Sequence, residues 1–365
     1  MAETSLSTLS QYRARPTVRL DDNTRDNARV SALINAFRVT EQEAGLTSME
    51  LRLVNQATPQ AGGDEELALE DERDIKLGTK IKLYSGDENR PREIFRGVIS
   101  CIEAEFPQSG PPELLVLAED PLQKGRLSRR TQVHDHLRLS DLANQLASQM
   151  SLTPRVTGFT EDIGTHVQLN ESDLAFLRRL LARYDGDLQV VGSELHVSPR
   201  KDVQRGTVEL AWNSQLFHAR FCADLADQVT EVTTSGWDPK QGVRVAGSSQ
   251  GVNLGPGGGR LGSQILSDVF GARSEHVSSP AVLTDLEARA LADAAFDQRA
   301  RRFVRVSGTA EGNPLIRVGT LVRLTGMSRR FNNTYYVVHA CHRFQKTTGQ
   351  YETDFQAESA YLGNP

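Results

Sequence analysis

Cysteine, aromatic residues and long apolar runs are all scarce in this chain, and each shortage narrows what it can be. Three cysteines in 365 residues, Cys101, Cys222 and Cys341, are too few and too scattered for a disulfide framework. Two of them sit in alternating apolar stretches, where they read as small buried hydrophobes. No apolar stretch approaches the ~20 residues of a membrane-spanning helix. Nor does the N-terminus carry a basic region followed by an apolar run, so no secretory signal is read and synthesis in a cytosol is expected. The net charge of −5 lacks the basic surplus with which nucleic-acid binders displace counterions from phosphates. What remains is a soluble globular composition, 38% hydrophobic and 24% charged, with length for two or three domains.

One pattern occurs twice. Leu77 to Leu83, Phe95 to Ile102 and Leu114 to Glu119 are matched by Val318 to Leu324, Tyr335 to His342 and Tyr351 to Glu358. Gly78 and Gly319 are 241 positions apart, Cys101 and Cys341 are 240, and Ala118 and Ala357 are 239. So steady a register marks an internal duplication of one β module. Each segment alternates apolar with polar residues, the period of a strand with one buried face. Ile81, Leu83, Val322 and Leu324 should face a core, and Lys80, Lys82 and Arg323 the opposite side. Ser85 to Asn89 and Thr325 to Asn333 have the composition of hairpin turns.

The chain in order suggests a polar mobile arm over 1–14 and a first β domain over 15–124. Arg15 to Leu20, Ile34 to Thr40 and Ser48 to Val54 supply its remaining strands, and the acidic run Asp64 to Asp74 is expected to be a solvated loop. A helix-containing middle domain follows over 125–205. It has one helix opening at Ser140 and another, capped by Asn170, bearing Leu174, Leu177, Leu180, Leu181 and Tyr184 at helical spacing before Asp185-Gly186. A hairpin turned at Gly192-Ser193 closes this domain. Strands resume over 206–365, interrupted by an insertion at about 247–302 that ends in a helix opened by the capping box Thr284-Asp-Leu-Glu287.

The residues offer no convincing site for catalysis, a cofactor or a metal. Gly257-Gly-Gly-Arg-Leu-Gly262 matches the dinucleotide fingerprint formally, but the hydrophobic strand that should precede it is missing, and a flexible loop is expected. His134, His136, His339, Cys341 and His342 form the histidine clusters, yet His339 and Cys341 fall on one strand face and His342 on the other, which splits a metal-ligand set. Glu171, Asp173, Asp185 and Asp187 are the only carboxylates that suggest an acid and base pair of glycosidase type, and two of them have structural roles at the ends of one helix.

The stretch Gln168 to Leu180, followed by Asp185-Gly186 and a hairpin, resembles a signature of the phage late control D family. The hub portion of the valine-glycine repeat spike proteins of type VI secretion carries the same element. Ala14 to Val18, Gly312 to Gly319 and Tyr336 to His342 leading into Gly349-Gln-Tyr351 extend the resemblance over nearly the whole chain. The resemblance implies an α+β, mainly β fold with two tube-type β-barrel domains related by internal duplication. It implies a baseplate hub of a contractile tail or injection particle: a non-enzymatic homotrimer whose six modules adapt a sixfold tail tube to a threefold spike. The implied partners are the tail tube protein, other baseplate proteins and a spike protein on a separate chain, in a virion tail or extracellular particle made in a bacterial cytoplasm. Lys80, Lys82 and Arg323 are the candidates for tube or lumen contact. The alternative reading is a tail-associated peptidoglycan hydrolase, motivated by the four carboxylates.

Overall fold

The computed structural model describes residues 15–57, 67–85, 91–238, 241–278 and 282–364. The arm expected over 1–14, the turn at 86–90 and the start of the acidic run at 64–66 lie outside the described residues. The chain is mainly β. Its elements in order are β1 (Thr17–Leu20), α1 (Ala28–Leu33), β2 (Ile34–Gln42), β3 (Ser48–Val54), β4 (Lys80–Ser85), β5 (Arg92–Glu105), β6 (Glu113–Glu119), β7 (Arg129–His134), α2 (Leu139–Gln149), β8 (Thr153–Val156), β9 (His166–Ser172) and α3 (Asp173–Arg183). Then come β10 (Gly186–Val191), β11 (Glu194–Pro199), β12 (Thr207–Ala211), β13 (Leu216–Ala223), β14 (Glu231–Asp238), β15 (Val243–Ser249), β16 (Arg260–Leu261), α4 (Gly262–Phe270) and β17 (Ser274–Val277). The chain finishes with α5 (Asp285–Arg301), β18 (Val304–Glu311), β19 (Leu321–Thr325), β20 (Asn333–Gln345), β21 (Gln350–Ser359) and β22 (Tyr361–Leu362).

These elements form two compact units, one of Met1–Gln123, Thr309–Arg317 and His339–Phe355, the other of Lys124–Gly308, Val318–Val338 and Gln356–Pro365. The first is an antiparallel ladder in the order β1-β4-β5-β6-β3-β2, continued on β2 by residues 339–345 of β20. Alternation builds it: Met49, Leu51 and Leu53 of β3 are buried while Glu50 and Arg52 face out. Among the described residues this ladder does not close into a barrel within the chain. Among the described residues β1, only four residues long, pairs with β4 alone, and its other edge is covered by the start of α1, where Asn27 N–H donates to Val18 O at 2.7 Å and Val18 N–H to Ser31 Oγ at 3.0 Å. The acidic run is less solvated than expected, because Ala68, Leu69 and Ile75 enter the core and Arg29 binds Asp71 and Asp74.

The two matched stretches enter their ladders alike. Gly78, at φ +85°, donates its N–H to Ile99 O at 2.9 Å, and Ile99 N–H returns to Thr79 O at 2.9 Å. Gly319, at φ +86°, donates to Val337 O at 2.9 Å, and Val337 N–H returns to Thr320 O at 3.0 Å. Both turns use a conformation that favours glycine. These bonds set Ile99 level with Val337, which by residue count puts Cys101 beside His339 and not Cys341. A bulge between Ile99 and Cys101 interrupts the alternation of β5 just beyond this point. The cysteines are not uniformly buried either: Cys341 is buried, Cys101 half-buried and Cys222 exposed.

In the second unit α2 and α3 pack their leucine faces inward beside the sheet β10-β11-β8. Ser172, not Asn170, caps α3: its hydroxyl accepts from Ala175 N–H at 3.2 Å, while Asn170 sits at φ +48° inside β9. Thr284 caps α5 as expected, accepting from Glu287 N–H at 3.1 Å. This helix backs a second sheet, β15-β14-β17, with Val232, Ala292, Phe296 and Ala300 between them. The glycine-rich run is a pinned segment and not a free loop. Asp297 accepts from Val252 and Asn253 N–H, Ser359 donates to Pro256 O, Asn333 donates to and accepts from Gly258, and β16 pairs with β22. No helix among the described residues is long and apolar enough to cross a membrane.

Candidate functional site

Strand alternation turns Lys80 and Lys82 to the outer face of β4, where β1 and β5 flank them. Lys82 lies directly opposite Arg19 on β1 and directly opposite Arg96 on β5, so one row of the sheet carries three cations. The next row is Thr17, Tyr84 and Glu93. Arg19 is held by Asp26 at 2.7 Å and stacks on the Tyr84 ring at 4.1 Å, and Arg96 makes two bonds of 2.8 Å to Glu93. The hydrogen bonds that they donate to Asp26 and Glu93 raise the affinity of these guanidinium groups for their protons. Lys80 pairs with Asp22 at 2.9 Å, and that contact holds the Asp22 carboxyl below its usual range. Arg323 lies in the other unit, on the outer side of β19, and pairs with Glu209 at 3.2 Å between two exposed side chains. The structure thus brings Lys80 and Lys82 together. Sequence reasoning missed Arg19, Arg96, Glu93 and Tyr84, whose sharing of this face depends on cross-strand register.

The carboxylates that suggested hydrolysis are each engaged by an arginine. Glu171 takes two bonds from Arg179, which hold its carboxyl below the usual range and so keep it ionised, unsuited to donate a proton. Asp173 meets Arg130 at 2.8 Å at the start of α3. Asp185 receives two bonds from Arg301, of 2.8 and 2.5 Å, and Asp187 one of 2.5 Å from Arg205. Arg301 and Arg200 also approach Glu358, so a buried charge network ties the start of β10 to the end of α5 and to β21.

The histidines are likewise accounted for by packing. His134 stacks on Phe176 with centroids 4.9 Å apart, and His136 meets Asp162 at 2.7 Å. His342 is fully buried, and its Nδ1 lies within hydrogen-bond distance of Tyr351 Oη at 2.9 Å and Thr353 Oγ1 at 3.2 Å. Burial, reinforced by the Arg317 guanidinium that pairs with buried Glu41, pushes its pKa down to about 3. Among the described residues no group of three or more His, Cys, Asp and Glu side chains is placed to hold a metal ion.

The fold is similar to that of several phage tail proteins. It is similar to the 43 kDa tail protein of prophage MuSo2 from Shewanella oneidensis, with a TM-score of 0.67 and 12% identity over 94% of this chain and 98% of that one. It is similar also to the tail protein from Neisseria meningitidis MC58, with a TM-score of 0.67 and 11% identity over 96% and 100%. A component of the Escherichia coli type VI secretion system, the c3393 protein, follows at 0.56 and 10% over 95% and 77%. At these identities the likeness establishes the fold alone. Residues 53–346 match the model of the Alg8 N-terminal domain, and the chain belongs to that family. No curated protein matches the sequence.

Proposed function

We propose that the chain is a structural, non-enzymatic component of a contractile tail or injection particle, and specifically a baseplate hub of late control D type. In this reading it works as a homotrimer whose two tube-type modules per subunit form a ring of six. That ring joins a sixfold tail tube to a threefold spike protein and contacts other baseplate proteins. The observation that carries it is the repeated module: β4-β5 and β19-β20 are entered by the same glycine turn and the same pair of backbone bonds. It occurs within a fold shared over more than nine-tenths of the chain with tail proteins. Closed rotational symmetry is the usual way in which such repeated modules assemble. Three copies supply six modules while keeping true threefold symmetry.

A cryo-EM reconstruction of the parent particle tests this. Three copies between tube and spike are expected, with both modules lining the central channel. A chain in the sheath or fibres, or residues 318–358 turned away from the channel, overturns the proposal.

A further inference from the structure

We infer that the Arg19–Lys82–Arg96 row is a docking surface for a protein partner presenting carboxylates along a strand or loop edge. This deepens the proposed function by giving the chemistry of one contact with another assembly component, and it rests on that reading. The row contains two directly opposed like-charge pairs, Arg19 with Lys82 and Lys82 with Arg96, an arrangement that destabilises a sheet left to itself. The outer cations are already fixed by their own acids, Arg19 by Asp26 and Arg96 by Glu93. Among the described residues Lys82, between them, carries no ion pair of its own; Asp22, whose carboxyl feels the Lys82 charge, is bonded by Lys80. A carboxylate arriving over Lys82 therefore meets an unpaired ammonium flanked by two guanidinium groups whose positions are set before it binds, and relieves their repulsion as it does so.

The spacing fits a protein edge. Neighbouring strands are about 4.8 Å apart, so the row spans about 10 Å, within reach of one or two carboxylates on long side chains of a single extended segment. A nucleic acid fits less well. Asp22, Asp26 and Glu93 are interleaved with the cations and would repel a continuous line of phosphates, and the chain as a whole is at −5.

Fluorescence anisotropy of the full chain tests the inference with three labelled probes: a threonine-glutamate repeat peptide, the same peptide with glutamine for glutamate, and a short DNA duplex. The glutamate peptide should bind at low ionic strength and weaken by about tenfold at physiological salt, as screening requires. Lys82→Gln should weaken it by about threefold or more and Lys82→Glu abolish it, with the oligomer mass unchanged. Because Lys82→Gln removes two opposed pairs, it should also raise the thermal midpoint of the unbound chain by about 1–2 °C. Equal binding of the glutamine peptide, no binding of either peptide, tighter binding of the duplex, or a lowered midpoint in Lys82→Gln overturns the inference. A trimer that ignores the acidic peptide overturns this inference and leaves the hub reading standing; a chain that binds the peptide but forms dimers does the reverse.

Discussion

The buried imidazole of His342 makes the first unit sensitive to acid by an amount that can be worked out. In an unfolded chain a histidine titrates near 6.5, whereas in the fold burial and neighbouring Arg317 hold His342 near 3. The folded state therefore binds fewer protons than the unfolded one between these values. The stability that this neutral imidazole contributes is fully present above about pH 6.5 and is lost as pH falls toward 3. At pH 4.5 the loss is about 2.7 kcal/mol, close to a hundredfold in the folded-to-unfolded ratio. Asp297 and Glu311 act in the opposite sense, since burial raises both and each favours the fold as it takes up its proton. The contribution of His342 is therefore isolated by comparison with His342→Asn, whose carboxamide oxygen can accept from Tyr351 and Thr353 but does not titrate. Urea unfolding followed by hydrogen exchange in β20 and β21 should show the wild type losing about 2.7 kcal/mol more than the variant between pH 7.5 and 4.5. Parallel pH profiles would refute the reasoning.

Other perturbations have clear directions. Leu177, fully buried on α3, should cost about 2–5 kcal/mol on truncation to alanine, and Leu177→Asp should unfold the region around α2 and α3, as circular dichroism and limited proteolysis would reveal. Asp185→Asn leaves the Arg301 guanidinium, whose side chain is 2% exposed, without its main counter-charge, and thermal denaturation should register a loss of about 3–5 kcal/mol. Gly78→Ala meets no atom within 4 Å and should cost about 1–2 kcal/mol for its left-handed backbone. Gly319→Ala should cost more by chemical denaturation, because its Cβ would lie 2.2 Å from Nη1 of Arg205, a guanidinium held by Val318 O at Nη1 and by Asp187 at Nη2.

Much of the fold was legible because local chemistry agreed with the final packing. β3 is the alternating segment Ser48 to Val54 without change, and α5 begins at the capping box that announces it. Helix α3 was legible from its leucines, but its cap was misplaced, because Asn170 and Ser172 are both good caps and only β9 decides between them. The pinned glycine-rich segment was not legible, since its partners Asp297, Asn333 and Ser359 come from elements distant in sequence. The same holds for the candidate docking face. Lys80 and Lys82 follow from alternation within one strand, whereas Arg19 and Arg96 join them through pairing registers that no local pattern encodes.

The central claim is assembly into a threefold hub, and a solution mass measures it most directly. Light scattering on the purified protein, or on its complex with the spike protein, should give three copies of the 40.3 kDa chain. A stable dimer in both preparations would contradict the account.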